Sequence, residues 1–185
     1  MTSKILLEVL EKLVRICKKS EVKMAIMGGI ATSVFGRPRT TYDVDGFILI
    51  EPAKAEKVME KFKAAGFNFD KKHPIKTISG MRFITLLYSK LKTYVDLFIA
   101  ETEFQQGIIG RAEKVRLGKT LIPIVSPEDL ILLKLKSGRA KDVEDVREIL
   151  MENKNRLDYS YLKHHAKELR VDLFLKDELE SLRIS

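Results

Sequence analysis

The sequence predicts an α+β fold: a mixed β-sheet with flanking helices, followed by a C-terminal helical subdomain. Three observations carry this expectation. Apolar runs of strand length occur at 22–27, 44–50, 81–88 and 93–100, with helical patterns between some of them. The chain changes character after Val125, and from Ser126 onward the periodic stretches have helical spacing. No repeat or low-complexity linker divides it, and 185 residues suit one domain, or one domain with a small appendage. The expected division is an α/β domain over 1–125 and a helical subdomain over 126–185 packed on it.

Each element follows from local pattern. Lys4 to Lys19 sets Ile5, Leu6, Val9, Leu10, Leu13, Ile16 and Cys17 at helical spacing. Glu8 and Glu11 interrupt that apolar run and no small-residue cleavage site follows, so it reads as an amphipathic helix rather than a signal peptide. Val22 to Met27 is a short strand ended by Gly28 and Gly29, and Ile30 to Phe35 a short helix. Val44 to Ile50 is the next strand, stopped by Pro52. Ala53 to Ala65 is an amphipathic helix ended by Gly66. Met81 to Tyr88 and Thr93 to Ala100 form a hairpin across SKLK. Lys114 to Leu117 and Thr120 to Val125 form a second around Gly118-Lys119. Ser126 is the expected N-cap of the following helix, with Pro127 at its first position and Glu128 and Asp129 in its first turn. Ser137-Gly138 breaks that helix. Ala140 to Met151, Tyr159 to Arg170 and Asp172 to Arg183 supply three more. Phe62, Phe67, Phe69 and Phe104 are expected in the core.

Composition bounds the function. The chain is 45% hydrophobic, enough for a core, yet has no apolar run of about 18 residues, so no membrane span is expected. Cys17 is the only cysteine; no intrachain disulfide can form, and a cytoplasmic location fits. Its expected place is a buried helix face beside Leu13 and Val14. A net charge of +8 favours polyanions such as nucleic acid or nucleotide phosphates. Lysines spread through nearly every segment, with few Asn and Gln, equally describe the ion-paired surface of a thermophile protein. Both readings stay open.

The stretch MGGIATSVFGRPRTTYDVDGFILI, Met27 to Ile50, carries the chemistry. Alternation along a strand points Asp43 and Asp45 the same way, with Phe47 and Leu49, while Val44, Ile48 and Ile50 take the other face. Two carboxylates so close raise each other's cost of ionisation, and a divalent cation reverses that balance. Mg²⁺ takes one or two carboxylates together with phosphate oxygens. Asp96, alone in the apolar run YVDLFIA, supplies a third acid, since a buried aspartate without a partner is costly. Its strand is expected beside that of Asp43. Gly28 and Gly29, closing a strand and opening a helix, expose backbone N–H groups at a positive dipole end, where phosphate approaches without a Cβ in the way. Either feature alone is common in turns and on surfaces; the ordered set is specific.

That set resembles the nucleotidyltransferase superfamily, with its polymerase-β-like fold. Met27, Gly28, Gly29, Asp43, Asp45 and Asp96 stand at the positions of its signature. Gly36 to Thr41, together with SPEDLILLKLKSGRAKDVEDV and its Lys134, Arg139, Lys141, Asp142 and Asp145, resembles the branch holding the AbiEii-type abortive-infection toxins. The likeness spans roughly residues 22 to 150. It implies a metal-dependent enzyme that moves an NMP from an NTP to a hydroxyl acceptor and releases pyrophosphate, in a toxin–antitoxin pair if the branch holds. It also implies two Mg²⁺ ions on Asp43, Asp45 and Asp96, with Asp96 as base near the acceptor hydroxyl. Gly28 and Gly29 would hold the β- and γ-phosphates, and Arg39, Lys134, Arg139 and Lys141, with Asp142, would complete the nucleotide site, including ATP among the candidates. Lys141 and Asp145, four apart on one helix, equally suit a surface ion pair.

Competing sites are weaker. His164 and His165 are adjacent on a helix and diverge by about 100°, which disfavours a shared metal; His73 has no ligand spacing. No P-loop, G-x-G-x-x-G or G-x-S-x-G is present. The alternative to an enzyme is an inactive module of the same fold that binds RNA or a partner protein. The acceptor stays open between tRNA, another nucleic acid, a protein hydroxyl and a small molecule. So do a homodimer and an antitoxin partner docking on the helical tail.

Overall fold

A computed structural model describes residues 4–70, 72–78 and 80–184. Helix α1 (Lys4–Lys19) buries Leu6, Val9, Leu10, Leu13, Ile16 and Cys17, the stripe its spacing predicts, while Ile5 at its start is exposed. Burial pushes the Cys17 thiol up to about 12. The chain reverses at Glu21, whose φ of 56° lets Val22 N–H reach the Cys17 carbonyl at 2.9 Å. Strand β1 (Lys23–Met27) runs directly into helix α2 (Gly28–Phe35). Strand β2 (Val44–Leu49) follows, then α3 (Pro52–Ala64), with proline at a position where no backbone donor is missed.

The middle of the chain is richer than its sequence pattern. Besides the expected hairpin of β5 (Met81–Tyr88) and β6 (Thr93–Ile99), two short strands, β3 (Phe67–Asn68) and β4 (Lys76–Ile78), both pair with β5. A helix not expected from periodicity, α4 (Glu103–Gly110), is held by a capping box in which Thr102 and Gln105 satisfy each other's backbone N–H groups. Phe62 and Phe67 are buried and meet edge to face, whereas Phe69 and Phe104 are only half-buried. The second hairpin forms from β7 (Glu113–Leu117) and β8 (Thr120–Ile124).

Strands lie in the order β3-β5-β6-β2-β1-β8-β7, with β4 on β5. Strand β2 is antiparallel to β1 and parallel to β6, and β1 is parallel to β8, so the sheet is mixed. Its central strands are buried on both faces through Ala25, Ile26, Val44, Phe47, Ile48, Val95 and Leu97. Gly46 lets β2 approach β1 closely, since a Cβ there would sit 2.9 Å from the Ala25 carbonyl oxygen.

The helices after Ser126 are α5 (Pro127–Ser137), α6 (Ala140–Asn153), α7 (Tyr159–Glu168) and α8 (Asp172–Ser181). Ser126 caps α5 by accepting from Asp129 N–H, and Gly138 ends it in the left-handed conformation, φ 66°. The chain forms two compact units, Met1–Ile30 with Thr40–Val125, and Ala31–Arg39 with Ser126–Ser185. The assignment of 31–39 differs from the sequence expectation of an uninterrupted 1–125. Its cause is specific bonding: the buried Asn153 amide donates to the Phe35 carbonyl at 2.6 Å, Arg37 pairs with Glu148, and Arg39 with Asp145. Within the same unit Arg147 grips Glu178 with two hydrogen bonds of 2.6 and 3.0 Å, and Tyr161 Oη donates to the buried Asp129 at 2.7 Å.

Candidate active site

The site in the sheet unit is built by register. Met27, the last residue of β1, pairs with Asp45, and Asp45 pairs in turn with Asp96 of β6. Paired residues point to one side of a sheet, so Asp45 and Asp96 share a face, and Thr85, the partner of Asp96 on β5, shares it too. Asp43 immediately precedes β2 and is exposed; Thr41 Oγ1 donates to its Oδ1 at 2.9 Å. Asp45 and Asp96 are half-buried. Asp96 Oδ1 is buried and has no hydrogen-bond partner. An unsatisfied buried acceptor costs about 1–3 kcal/mol. A hard cation shared with the neighbouring carboxylates would satisfy it, so the donor set fits a divalent metal.

The two glycines are required sterically. Gly28 takes a φ of 63°, which turns the chain from β1 into α2, and a Cβ there would collide with the Asp45 carboxylate. A Cβ on Gly29 would lie 2.6 Å from Thr41 Oγ1. The glycine pair therefore lets the start of α2 sit against both the D-x-D strand and the threonine that holds Asp43. Thr41 was not singled out from the sequence; its signal is a hydroxyl two residues before a carboxylate it can reach.

The helical unit gathers a second set of charges. Lys134, on α5, is buried with its ammonium 3.1 Å from Asp142 Oδ1 and 2.6 Å from Asp145 Oδ2. Arg139 donates to the two oxygens of Asp142 at 2.6 and 3.4 Å, and Arg39 reaches Asp145 at 3.4 Å. Burial disfavours ionisation of Asp142, but hydrogen bonds from Arg139, Ser137 and Lys134 outweigh it and hold its carboxyl below the usual aspartate range. Of the cations read from the sequence as phosphate ligands, Lys134, Arg139 and Arg39 are thus all engaged by carboxylates, Lys134 buried and Arg139 still 62% exposed. Arg39 keeps a partly exposed guanidinium, and Lys141 is exposed. The expected Lys141–Asp145 surface pair does not form, because Asp145 turns instead to Lys134 and Arg39.

The histidines correct a further expectation. His164 and His165 converge: His164 Nε2 lies 3.5 Å and His165 Nδ1 2.6 Å from the carboxylate of Glu168, one turn on. Their adjacency sets the ring directions apart, but Glu168 at i+4 and i+3 is within reach of both. His73 sits on the surface 3.6 Å from Asp70.

This order of strands, with a Gly-Gly turn into a helix, two aspartates on adjoining strands and a third just before one of them, is the nucleotidyltransferase fold. An antigenic nucleotidyltransferase-like protein from Paracoccidioides brasiliensis matches with a TM-score of 0.64 at 20% identity, over 100% of this chain and 95% of that one. A putative nucleotidyltransferase from Thermotoga maritima matches with a TM-score of 0.56 at 20% identity, covering 82% and 96%. ANT(2")-Ia in complex with adenylyl-2"-tobramycin matches at 0.60 and 13% identity, covering 91% and 98%. The chain belongs to the family described as "Nucleotidyl transferase of unknown function (DUF2204)", whose model matches residues 2–181. No curated protein sequence matches it. Among the described residues no helix is long and apolar enough to cross a membrane.

Proposed function

We propose that the protein transfers an NMP from an NTP to the hydroxyl of an acceptor, with release of pyrophosphate. The observation that carries this reading is the buried, unpartnered Oδ1 of Asp96 in register beside Asp45. Asp43, Asp45 and Asp96 would hold divalent ions, Mg²⁺ by the hardness of the all-oxygen donor set, which when bound would withdraw charge from the α-phosphate and the leaving pyrophosphate. Asp96 takes the proton of the acceptor hydroxyl as its oxygen bonds to the α-phosphorus and the bond to the β-phosphate oxygen breaks. Thr41 orients Asp43 through its hydroxyl. The backbone at Gly28 and Gly29 receives the β- and γ-phosphates at the positive end of α2. Within the helical unit Arg39, Arg139 and Lys141 keep exposed positive charge suited to a polyanion. Lys134 fixes Asp145, the partner of Arg39, and shares Asp142 with Arg139.

The test is incubation with each α-labelled NTP, with MgCl₂ or EDTA, and a cell extract or purified RNA. Label should appear on an acceptor only with the metal, and Asp96→Asn should lower the rate by about 10²-fold or more, the size expected for a lost general base. Binding of NTP without transfer to any acceptor would instead identify an inactive module. Growth arrest on expression in a bacterial host, dependent on Asp43, would support a toxin role; unimpaired growth would remove it.

A further inference from the structure

The sheet unit carries an open groove of about 1150 Å³ away from the aspartates, between α1, the end of α4 and the β7–β8 hairpin. Seven cations line it: Lys12, half-buried over the Tyr88 ring, and six more, Arg15, Lys18, Lys23, Lys114, Arg116 and Lys119. These last six are exposed, and none forms an ion pair among the described residues. Lys57, Lys141, Lys163 and Lys167 are also exposed without an ion pair among the described residues, but they are scattered along α3, α6 and α7, whereas several other lysines are paired. Lys54 and Lys63 on α3 pair with Glu51 and Glu60, and Lys176 on α8 with Glu180. Two acids also line the groove, Glu8 and Glu11, and Glu8 is bonded to Lys90. An ion-paired surface of the heat-adapted kind therefore does not describe this patch, which holds a local excess of uncompensated positive charge.

Register ties the patch to the candidate active site. Ile26 of β1 pairs with Ile124, Pro123 with Lys114, and Leu121 with Arg116. Counting along the pleat from Met27, the partner of Asp45, places Lys23, Lys114 and Arg116 on the face of the sheet that carries Asp45 and Asp96, while α1, which meets Tyr88 on the opposite face, brings Arg15 and Lys18 to the groove from that side. Three interstrand steps separate β2 from β7, roughly 15 Å. That span is about four nucleotide steps at ~3.4 Å along a strand.

We infer that this groove binds the phosphate backbone of an RNA strand whose terminal ribose is the acceptor hydroxyl. The inference rests on the transferase reading for the hydroxyl and on charge complementarity for the occupant. A polyamine acceptor would be repelled by the same cations. No aromatic side chain lines the groove, so it offers phosphate contacts rather than base stacking, and binding is expected to ignore sequence.

The experiment is fluorescence polarisation of a labelled single-stranded RNA with the full chain, without NTP or metal. About four phosphate contacts at a single-strand slope of about −0.7 each give roughly a fiftyfold loss of affinity between about 50 and 200 mM salt. The triple variant Lys114→Glu, Arg116→Glu, Lys119→Glu should lose at least about tenfold at low salt. A control of equal charge change on α3, Lys54→Glu, Lys57→Glu, Lys63→Glu, should stay close to wild type, with circular dichroism confirming both folds. Absence of wild-type binding, an equal loss in the control, or equal competition by polyglutamate, which would mark the groove as a site for an acidic protein, overturns the inference. Transfer of label to an acceptor without groove-dependent RNA binding would refute this inference alone; RNA binding without transfer would refute the proposed activity alone.

Discussion

Asp96→Asn separates a carboxylate poised for a ligand from one that serves the fold. Asparagine keeps the shape of the side chain, so no cavity opens. Asp96 and Asp45 are in-register neighbours on parallel strands, about 4.8 Å apart at the backbone. At roughly 5 Å and an effective dielectric of about 20, two carboxylates repel by about 3 kcal/mol. Both are half-buried, and partial solvation lowers that toward about 1 kcal/mol. The unpartnered Oδ1 adds a cost of the same sign. Removing the charge should therefore stabilise the metal-free protein by about 1–3 kcal/mol. For a chain of this size, at about 2–4 °C per kcal/mol, Tm should rise by roughly 2–12 °C. The assay is a pair of thermal melts in EDTA, repeated with MgCl₂ and each NTP in turn. Wild type should gain further stability from ligand by mass action, and the variant should lose that gain. A variant that melts below wild type in EDTA, yet keeps the full ligand-induced rise, would show that Asp96 is structural and would refute the metal site.

Three further outcomes are expected. Gly29→Ala should cost about 1–3 kcal/mol in urea unfolding because its Cβ lands on Thr41, with a smaller cost in a Thr41→Ala background; additive costs would show that the contact is unimportant. Lys134→Met should destabilise by about 3–5 kcal/mol, since it strands two buried carboxylates, and adding Asp142→Asn and Asp145→Asn should recover part of the loss. Asp142 titrates below its unfolded value, so its contribution is complete above about pH 4 and is lost as pH falls through the folded value; unfolding free energies should fall more steeply below about pH 4 in wild type than in Asp142→Asn.

The sheet and the aspartates were legible because they break a pattern: Asp96 interrupts an apolar strand, and Asp43 and Asp45 stand at the mouth of another. Helix α5 was legible because Ser126, Pro127 and Gly138 mark both of its ends. Helix α4 was not, since Gly107 and Gly110 dilute its apolar pattern; the readable signal was the Thr102…Gln105 spacing of its capping box. Strands β3 and β4 have two and three residues and exist through pairing with β5, which no local window contains. The carboxylate partners of Lys134 were not legible for a similar reason. Lys134 and its carboxylate partners, on separate helices, look like independent charges in a sequence, and only folding brings them together, whereas Arg139 and Asp142 are three residues apart and within local reach. The room missing at Gly29, set by Thr41, likewise appears only when the segment leading into β2 is placed against the start of α2.

The grouping of 31–39 with the C-terminal helices has a consequence for biosynthesis. Phe35 receives its hydrogen bond from a residue 118 positions later, and Arg39 meets Asp145 106 positions later. At translation speeds of about 5–20 residues per second, Phe35 waits roughly 6–24 s after its own synthesis for that partner to be made. During that interval the ribosome carries a nascent chain with an uncompleted helical unit. Truncation before Asn153 would make that state permanent, and a fragment beginning at Ser126 would lack the segment on which its own helices close.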